Sequence, residues 1–361
     1  MIYTFTPYYK QVLWGGQKIQ LYKQGLFPTG STAVGGQENP SLLSNKVRPF
    51  SEQDSSVSGS EDGLNSGNQI GESWEISGLP GFESVVDYGP QKGTTLNNLV
   101  ISQRSELMGA HNYSRFGNNF PLLIKFIDAQ KDLSVQVHPH DKWAATHDCP
   151  NGKSELWYVI HAEPHTALYS GFSCTITRQE LRDHIDRGTV ESVLARHLIQ
   201  AGDIFFLPAG RIHSIGAGAL ICEIQQSCDV TFRVYDFKRR GLDGKERELQ
   251  VEQALEVVNL DISDSYRTQY RKELNSPVDI TNRPEFKTRL YHVNRRVYLD
   301  YSLLDSFVIL ICVQGQGEIA DNLGSMRHFS PGQTFLIPAV TSNITLNPAC
   351  ESRFLEVFIE P

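Results

Sequence analysis

The stretch LSVQVHPH, residues 133–140, constrains this chain more than any other. Its alternation reads as a β-strand, in which successive side chains point to opposite faces. Gln136 and His138 therefore project together, with Ser134 in line behind them, and Pro139 ends the strand. Further along, KSELWYVI carries Glu155, and AGDIFFLPAGRIHSIG brings His213 just past a Pro-Ala-Gly turn. A single strand histidine is more often hydrogen-bonded structure than a ligand. Gln, His, Glu and His from separate strands, however, form the donor set of a first-row metal site that keeps a position open for substrate.

Around these residues the chain alternates three textures. Short β-rich runs punctuated by Gly and Pro recur, among them SWEISGLPGFESVVDYG, FPLLIKFIDAQKDLSVQVHP and AGALICEIQQ. They predict a mainly β fold of antiparallel sandwich or jelly-roll type. Helical patterns interrupt them at 94–108, at 251–260, and after Thr177, where Thr177 and Glu180 form a capping box ahead of Leu181, Ile185, Val190, Val193 and Leu194. A break is expected near Gly188. The third texture is a Ser/Gly/Asn-rich run at about 25–68, too polar to bury much surface and read as a loose surface loop or, less simply, a lid.

An internal echo is also visible. AGDIFFLPA at 201–209 resembles PGQTFLIPA at 331–339, and SELWYVI at 154–160 resembles SFVILIC at 306–312. Two related jelly-roll β-barrels with helical insertions, one in each half, would explain it. The expected division is a catalytic unit at 1–240, a helical linker at 241–275 and a C-terminal unit at 276–361. In this alignment Phe307 stands where Glu155 does and Asn343 where His213 does, so the second copy lacks the metal chemistry.

A formal net charge of −8 over 361 residues argues against nucleic acid or an anionic membrane as the main partner, while leaving room for a local positive pocket. The N-terminus shows no signal-peptide pattern, and no apolar run approaches the length of a membrane span. Cysteines at 149, 174, 222, 228, 312 and 350 match neither a CxxC zinc motif nor a dense disulfide framework; Cys222 and Cys228 read as packed strand residues. A cytoplasmic location fits, and a monomer is compatible with two packed units.

With these residues in view, the chain resembles the type I phosphomannose isomerases of the cupin superfamily, in their short bacterial form. The resemblance rests on WGG at 14–16, GESWEIS at 71–77, PLLIKFIDAQKDLSVQVHP at 121–139, GKSELWYVI at 152–160, AGDIFFLPAGRIHSIG at 201–216 and EIQQSCDVTFRVYDFKR at 223–239. It implies zinc held by His138, Glu155 and His213, with Gln136 as a fourth ligand in part of the family. It maps the family's catalytic arginine onto Arg233 and pocket residues onto Lys153 and Ser134. It implies interconversion of mannose 6-phosphate and fructose 6-phosphate.

Such a reaction moves a proton between C1 and C2 through an enediolate whose negative charge a divalent metal can hold. If FRVYDF alternates, Phe232, Val234 and Asp236 share one face and Arg233, Tyr235 and Phe237 the other, so Arg233 could steady the enediolate or hold phosphate. Lys153 could bind phosphate or, with a depressed pKa, transfer a proton. The base itself stays open among Lys153, Glu155 and a metal-bound water. His140, His161 and His165 lie near in sequence, and Trp74 and Trp157 read as core aromatics. The alternatives are a non-catalytic sugar-phosphate-binding cupin and a metal-dependent oxygenase.

Overall fold

A computed structural model describes residues 1–27, 69–147, 149–240 and 244–360. Nearly all of the Ser/Gly-rich run lies outside the described residues. The first half contains β1 (Phe5–Thr6), β2 (Tyr8–Gly16), β3 (Ile70–Ile76), β4 (Val85–Val86), β5 (Leu122–Asp128) and β6 (Val135–Val137). It continues with β7 (Glu155–Ala162), β8 (Ala167–Phe172), β9 (Leu194–Leu198), β10 (Ile204–Leu207), β11 (His213–Ile215), β12 (Ala219–Gln226) and β13 (Phe232–Tyr235). The second half contains β14 (Pro277–Asn282), β15 (Lys287–Val293), β16 (Val297–Asp300), β17 (Val308–Gln314) and β18 (Gly317–Asp321). Its last strands are β19 (Met326–Phe329), β20 (Thr334–Ile337), β21 (Asn343–Pro348) and β22 (Ser352–Phe358).

Each half is a pair of facing antiparallel sheets. In the first, the order β10-β7-β12-β5-β3-β2 faces β13-β6-β11-β8-β9. In the second, β20-β17-β22-β15-β14 faces β16-β21-β18-β19. The strand order of one half repeats in the other, as the internal echo requires. The fold is mainly β and built of jelly-roll sheets, whose two layers are hydrogen-bonded separately and do not join into one ring.

Strand alternation sorts the core into layers. On β7, Trp157 and Val159 point between the two sheets of the first half, packing with Phe205, Ile221 and Ile215. Leu156, Tyr158 and Ile160 point the other way, onto Ile309, Ile311, Leu355 and Val357 of the second half. The two larger sheets thus meet back to back through a continuous apolar layer. The Tyr22 hydroxyl adds a hydrogen bond across this joint to the Val313 carbonyl at 2.9 Å. The second half has its own inner layer, with Val308, Leu310, Phe335, Ile344 and Leu346 among its members.

The helices are α1 (Lys18–Lys23), α2 (Leu96–Gln103), α3 (Ser105–Met108), α4 (Ala110–Phe116), α5 (Asp141–Ala144), α6 (Arg178–Asp186) and α7 (Val251–Val257). The helix read at 94–108 is broken at Arg104, whose φ of 50° lies in the left-handed region. α4 has no counterpart in the sequence reading. The capping box forms as expected: Thr177 accepts from the Glu180 N–H and the Glu180 carboxylate accepts from the Thr177 N–H. Beyond Gly188 (φ 67°) the chain forms a 3-10 turn, Val190–Val193. α6 and α7 cover the outer face of the smaller sheet, over Val135, Val137, Phe232 and Val234. Between the two halves α7 is the one helix among the described residues, so most of the stretch expected as a helical linker is irregular.

The strand register corrects one detail of the echo. Glu155 lies opposite Leu207, and Val308 lies opposite Ile337, the echo of Leu207. Val308 rather than Phe307 therefore occupies the position of Glu155. Phe307 instead packs into the layer between the halves. Asn343 is exposed, and its neighbour Ile344 is the fully buried residue.

Leu355 is fully buried in the layer between the halves. Leu355→Ala should lower unfolding free energy by about 2–5 kcal/mol, and Thr177→Ala, which removes an exposed cap, by about 1 kcal/mol. Urea denaturation checks both, and a Leu355→Ala loss no larger than that of the cap would contradict the packing described.

Candidate active site

Two rows of cross-strand neighbours face each other inside the first half. In the larger sheet, Trp157 lies opposite Glu223, and Glu223 opposite Lys125. In the smaller sheet, His213 lies opposite Gln136, and Gln136 opposite Arg233. Cross-strand partners present side chains on the same face of a sheet, so these two rows define the walls of one site.

β6 ends at Val137, one residue before His138. Gln136 and His138 nevertheless project together, with their Nε2 atoms 3.5 Å apart. His213 is delivered by the preceding turn, where Gly210 has φ 88° and donates its N–H to the His138 carbonyl at 2.9 Å. A side chain there would be strained and would meet the Val257 carbonyl oxygen at 2.8 Å. The turn after β12 supplies the Val230 carbonyl, which accepts from His138 Nδ1 at 2.9 Å. The Arg211 carbonyl does the same for His213 Nδ1 at 2.8 Å. With Nδ1 committed as donor, Nε2 of each ring presents its lone pair inward.

Those lone pairs meet Glu155. Its carboxylate lies 3.2 Å from His138 Nε2 and 3.6 Å from His213 Nε2. All three residues are buried, and one donor atom from each falls within 4.8 Å of the others. Both Glu155 oxygens are buried and, apart from the Lys153 ion pair, without a hydrogen-bond partner among the described residues. Gln136 Nε2 is 3.3 Å from His213 Nε2. Turning that amide over would present its oxygen instead, since amide orientation follows from the surrounding network. Two imidazole lone pairs, an orphaned carboxylate and an amide are the donors a divalent metal accepts, so the residues present fit such an ion.

Lys153 sits at this cluster, its Nζ 2.9 Å from Glu155 Oε1 and 3.2 Å from His138 Nε2. Burial works against charge on Glu155, but the Lys153 ammonium outweighs it and holds the carboxyl well below its ordinary range. Burial pushes His213 down to about 3. It also lowers His138, assisted by the Lys153 charge. Both rings are thus neutral, as ligands must be. Burial alone would depress Lys153, yet Glu155 and Glu223 raise it above its ordinary value. With no ion at the triad, the two carboxylates keep the ammonium charged.

Beside the cluster lies a cavity open to solvent, lined by Ser134, Gln136, Lys153, Trp157 and Arg233. The Ser134 hydroxyl donates to Gln136 Oε1 at 3.2 Å. Arg233 points inward, as the alternation of β13 requires, with its Nε buried and without a hydrogen-bond partner among the described residues. Sequence reasoning passed over several lining residues: Lys10, Trp14, Glu72, Lys125, Glu223, Asp229, Thr231 and Arg247. Lys125 lies 3.6 Å from Glu223 and 3.8 Å from Asp229. Glu223 accepts from Trp157 Nε1 at 2.8 Å. Burial, then the Glu155 charge, pushes Glu223 up to about 7. The available signal was a carboxylate at an inward position of the apolar strand ALICEIQQ. Trp157 belongs to the core as expected and to the cavity wall as well.

The other histidines are elsewhere. His140 Nδ1 accepts from the Trp143 N–H at 3.0 Å and so caps α5. His161 stacks edge-on against Phe27, and His165 is an exposed turn residue with φ 67°. Trp74 is fully buried.

Comparison with known proteins agrees with this arrangement. Residues 51–170 match the model of the type I phosphomannose isomerase catalytic domain. A Bacillus subtilis (strain 168) protein named "Probable mannose-6-phosphate isomerase GmuF" is 33% identical over 286 residues, 78% of this chain and 88% of that protein. The mannose-6-phosphate isomerase of Streptococcus mutans is 42% identical over 190 residues, 53% of this chain and 58% of that one. Among solved structures, the mannose 6-phosphate isomerase of Bacillus subtilis superposes with a TM-score of 0.77 at 24% identity, covering 99% of each chain, which shows the shared fold. The chain belongs to the type I phosphomannose isomerase family, a family of aldose–ketose isomerases.

Proposed function

We propose that this chain interconverts mannose 6-phosphate and fructose 6-phosphate, with zinc held by His138, Glu155 and His213 and Gln136 as a fourth donor. The observation that carries the reading is the convergence of His138, Glu155 and His213, with Gln136 and Lys153 joining this cluster to a cavity that Lys125 and Arg233 also line. The names of the relatives support the substrate pair. Zinc rather than a redox metal suits a donor set of two imidazoles and a carboxylate and a reaction with no net electron transfer.

When bound, the ion supplies Lewis acidity toward the sugar's carbonyl and hydroxyl oxygens. The chain does the rest. Arg233, with a buried unpartnered N–H and a permanent charge, holds an anionic oxygen of the substrate, on the phosphate or on the enediolate. Lys153, kept charged by its carboxylate neighbours, donates a hydrogen bond to a sugar oxygen. Ser134 orients Gln136 and lines the wall. Glu223 is the group best placed to carry the proton between C1 and C2. It faces the cavity, and its pKa near neutrality lets it accept and release a proton in the same cycle.

Chelation should abolish formation of fructose 6-phosphate in a coupled assay, and zinc should restore it; full turnover by metal-free protein would exclude the proposal. His138→Ala should lower bound metal, read by elemental analysis, while leaving the circular dichroism spectrum unchanged. Arg233→Ala should reduce kcat/KM by about 10²-fold or more, and Arg233→Lys should recover little of it because a lysine cannot reproduce the guanidinium's planar fork.

Glu223 acts as a base only when ionised, so kcat/KM should fall as pH drops through its pKa. A cation at the triad offsets the Glu155 charge that helps raise Glu223, which places the inflection at or below about 7. Glu223→Gln should remove both the inflection and most of the turnover. An unchanged pH profile in that variant would assign proton transfer to another group.

A further inference from the structure

Of the six cysteines, two meet. Cys149 Sγ and Cys228 Sγ lie 3.7 Å apart, although 79 residues separate them in sequence. Cys174 and Cys350 are exposed, and Cys222 and Cys312 are buried in strands. Cys228 is not the strand residue expected from sequence, because β12 ends at Gln226 and Cys228 occupies the turn that follows. It is fully buried, whereas Cys149 is partly exposed.

We propose that Cys149 and Cys228 form a peroxide-reactive dithiol site, with Cys149 as the thiol that meets the oxidant and Cys228 as its resolving partner. The Cys149 sulfur attacks one oxygen of the peroxide, the O–O bond breaks, and a sulfenic acid and one molecule of water result when the oxidant is hydrogen peroxide. The Cys228 sulfur then attacks the sulfenic sulfur. The S–S bond forms, the S–O bond breaks, and the hydroxyl leaves with the Cys228 proton as a second water. Two thiols are oxidised and one peroxide is reduced.

The surroundings favour pairing over further oxidation of Cys149. Cys228 is pinned by its own backbone: its carbonyl accepts from Gln225 Nε2 at 2.6 Å, and its N–H donates to the Gln226 carbonyl at 2.8 Å. The Asn151 side chain bonds the Ser227 carbonyl at 3.3 Å, holding the two segments together. A disulfide requires the sulfurs to approach by about 1.7 Å. That movement falls on the segment carrying Cys149, an irregular stretch between α5 and β7. It stops short of the active site, because Gly152 N–H is held by Asp141 at 2.7 Å and Lys153 N–H by the Pro139 carbonyl at 2.9 Å. The resulting bond braces the turn whose Val230 carbonyl anchors His138.

The test treats the folded, metal-loaded protein with a slight molar excess of hydrogen peroxide, followed by alkylation of the remaining thiols and peptide mass spectrometry. The expected product is a cross-link between the peptides containing Cys149 and Cys228, with loss of two hydrogens and reversal by dithiothreitol. Cys149→Ser should abolish the cross-link, and Cys174→Ser should leave it intact. Loss of thiol at Cys174 and Cys350 with the pair unreacted would overturn the proposal, as would sulfinic acid at Cys149 with no cross-link.

Discussion

Everything in the first half is arranged around one costly object, the Glu155 carboxylate. It is almost completely buried, and apart from the Lys153 ion pair neither oxygen has a hydrogen-bond partner among the described residues. An isolated ionised carboxylate removed from water costs far more than a domain can offset. Here it is tolerated because the Lys153 ammonium lies 2.9 Å away, while two neutral imidazoles turn their lone pairs toward the same point and leave it short of positive charge. Excess donor capacity of this kind, held by three strands and the turns beside them, is unfavourable packing and good coordination. The backbone carbonyls of Val230 and Arg211 complete the arrangement by fixing each imidazole tautomer, which apolar packing alone cannot do.

The second half is an internal comparison, since it repeats the strand order without the requirement to bind. By register, Val308 replaces Glu155, and Leu299 lies where Gln136 does when Ile344 is matched to His213. All three replacements are buried and apolar. One polar pair persists: Glu356 lies opposite Arg289, as Glu223 lies opposite Lys125. Yet Glu356 is satisfied, accepting from the Tyr301 hydroxyl at 2.5 Å and lying 3.4 Å from Arg289 Nη1. The same position that faces a cavity in one half is closed by tyrosine in the other. A shared fold therefore does not by itself make a site; unpaired donors do.

How far this was legible in the sequence follows from which interactions are local. Strand alternation is local, so the common face of Gln136 and His138 and the inward aim of Arg233 could be read directly. The Thr177 capping box is local too. Register between distant strands is not, and the echo was aligned one residue off at Phe307 because both Phe307 and Val308 are apolar and only pairing with Ile337 separates them. The break at Arg104 also escaped, since a positive φ at a non-glycine residue leaves no mark in hydrophobic spacing. Lys125 and Glu223 were hidden for a further reason: each sits in an otherwise apolar strand, and their opposition across β5 and β12 exists only in the folded sheet.

That opposition explains how a chain of net charge −8 presents a basic cavity. Lys10, Lys125, Lys153, Arg233 and Arg247 line it, against Glu72, Glu223 and Asp229. Few of these cations are free. Lys125 is shared among Glu72, Glu223 and Asp229 at 3.6–3.8 Å, and Arg247 is bound to Asp236 through two contacts of 2.6 Å. Buried acids hold the basic side chains in place before any substrate arrives, which reduces the rotamer entropy lost on binding an anion. The same acids limit how positive the cavity becomes, so on the proposed function selectivity for a phosphorylated sugar would depend on where unpaired N–H groups point rather than on net potential. Arg233 Nε is such a group on the cavity wall, and it stands in one cross-strand row with Gln136 and His213. On the proposed function, anion recognition and metal binding would both depend on strand register, and a slip of one residue in β6 would turn Gln136 and His138 away from the site.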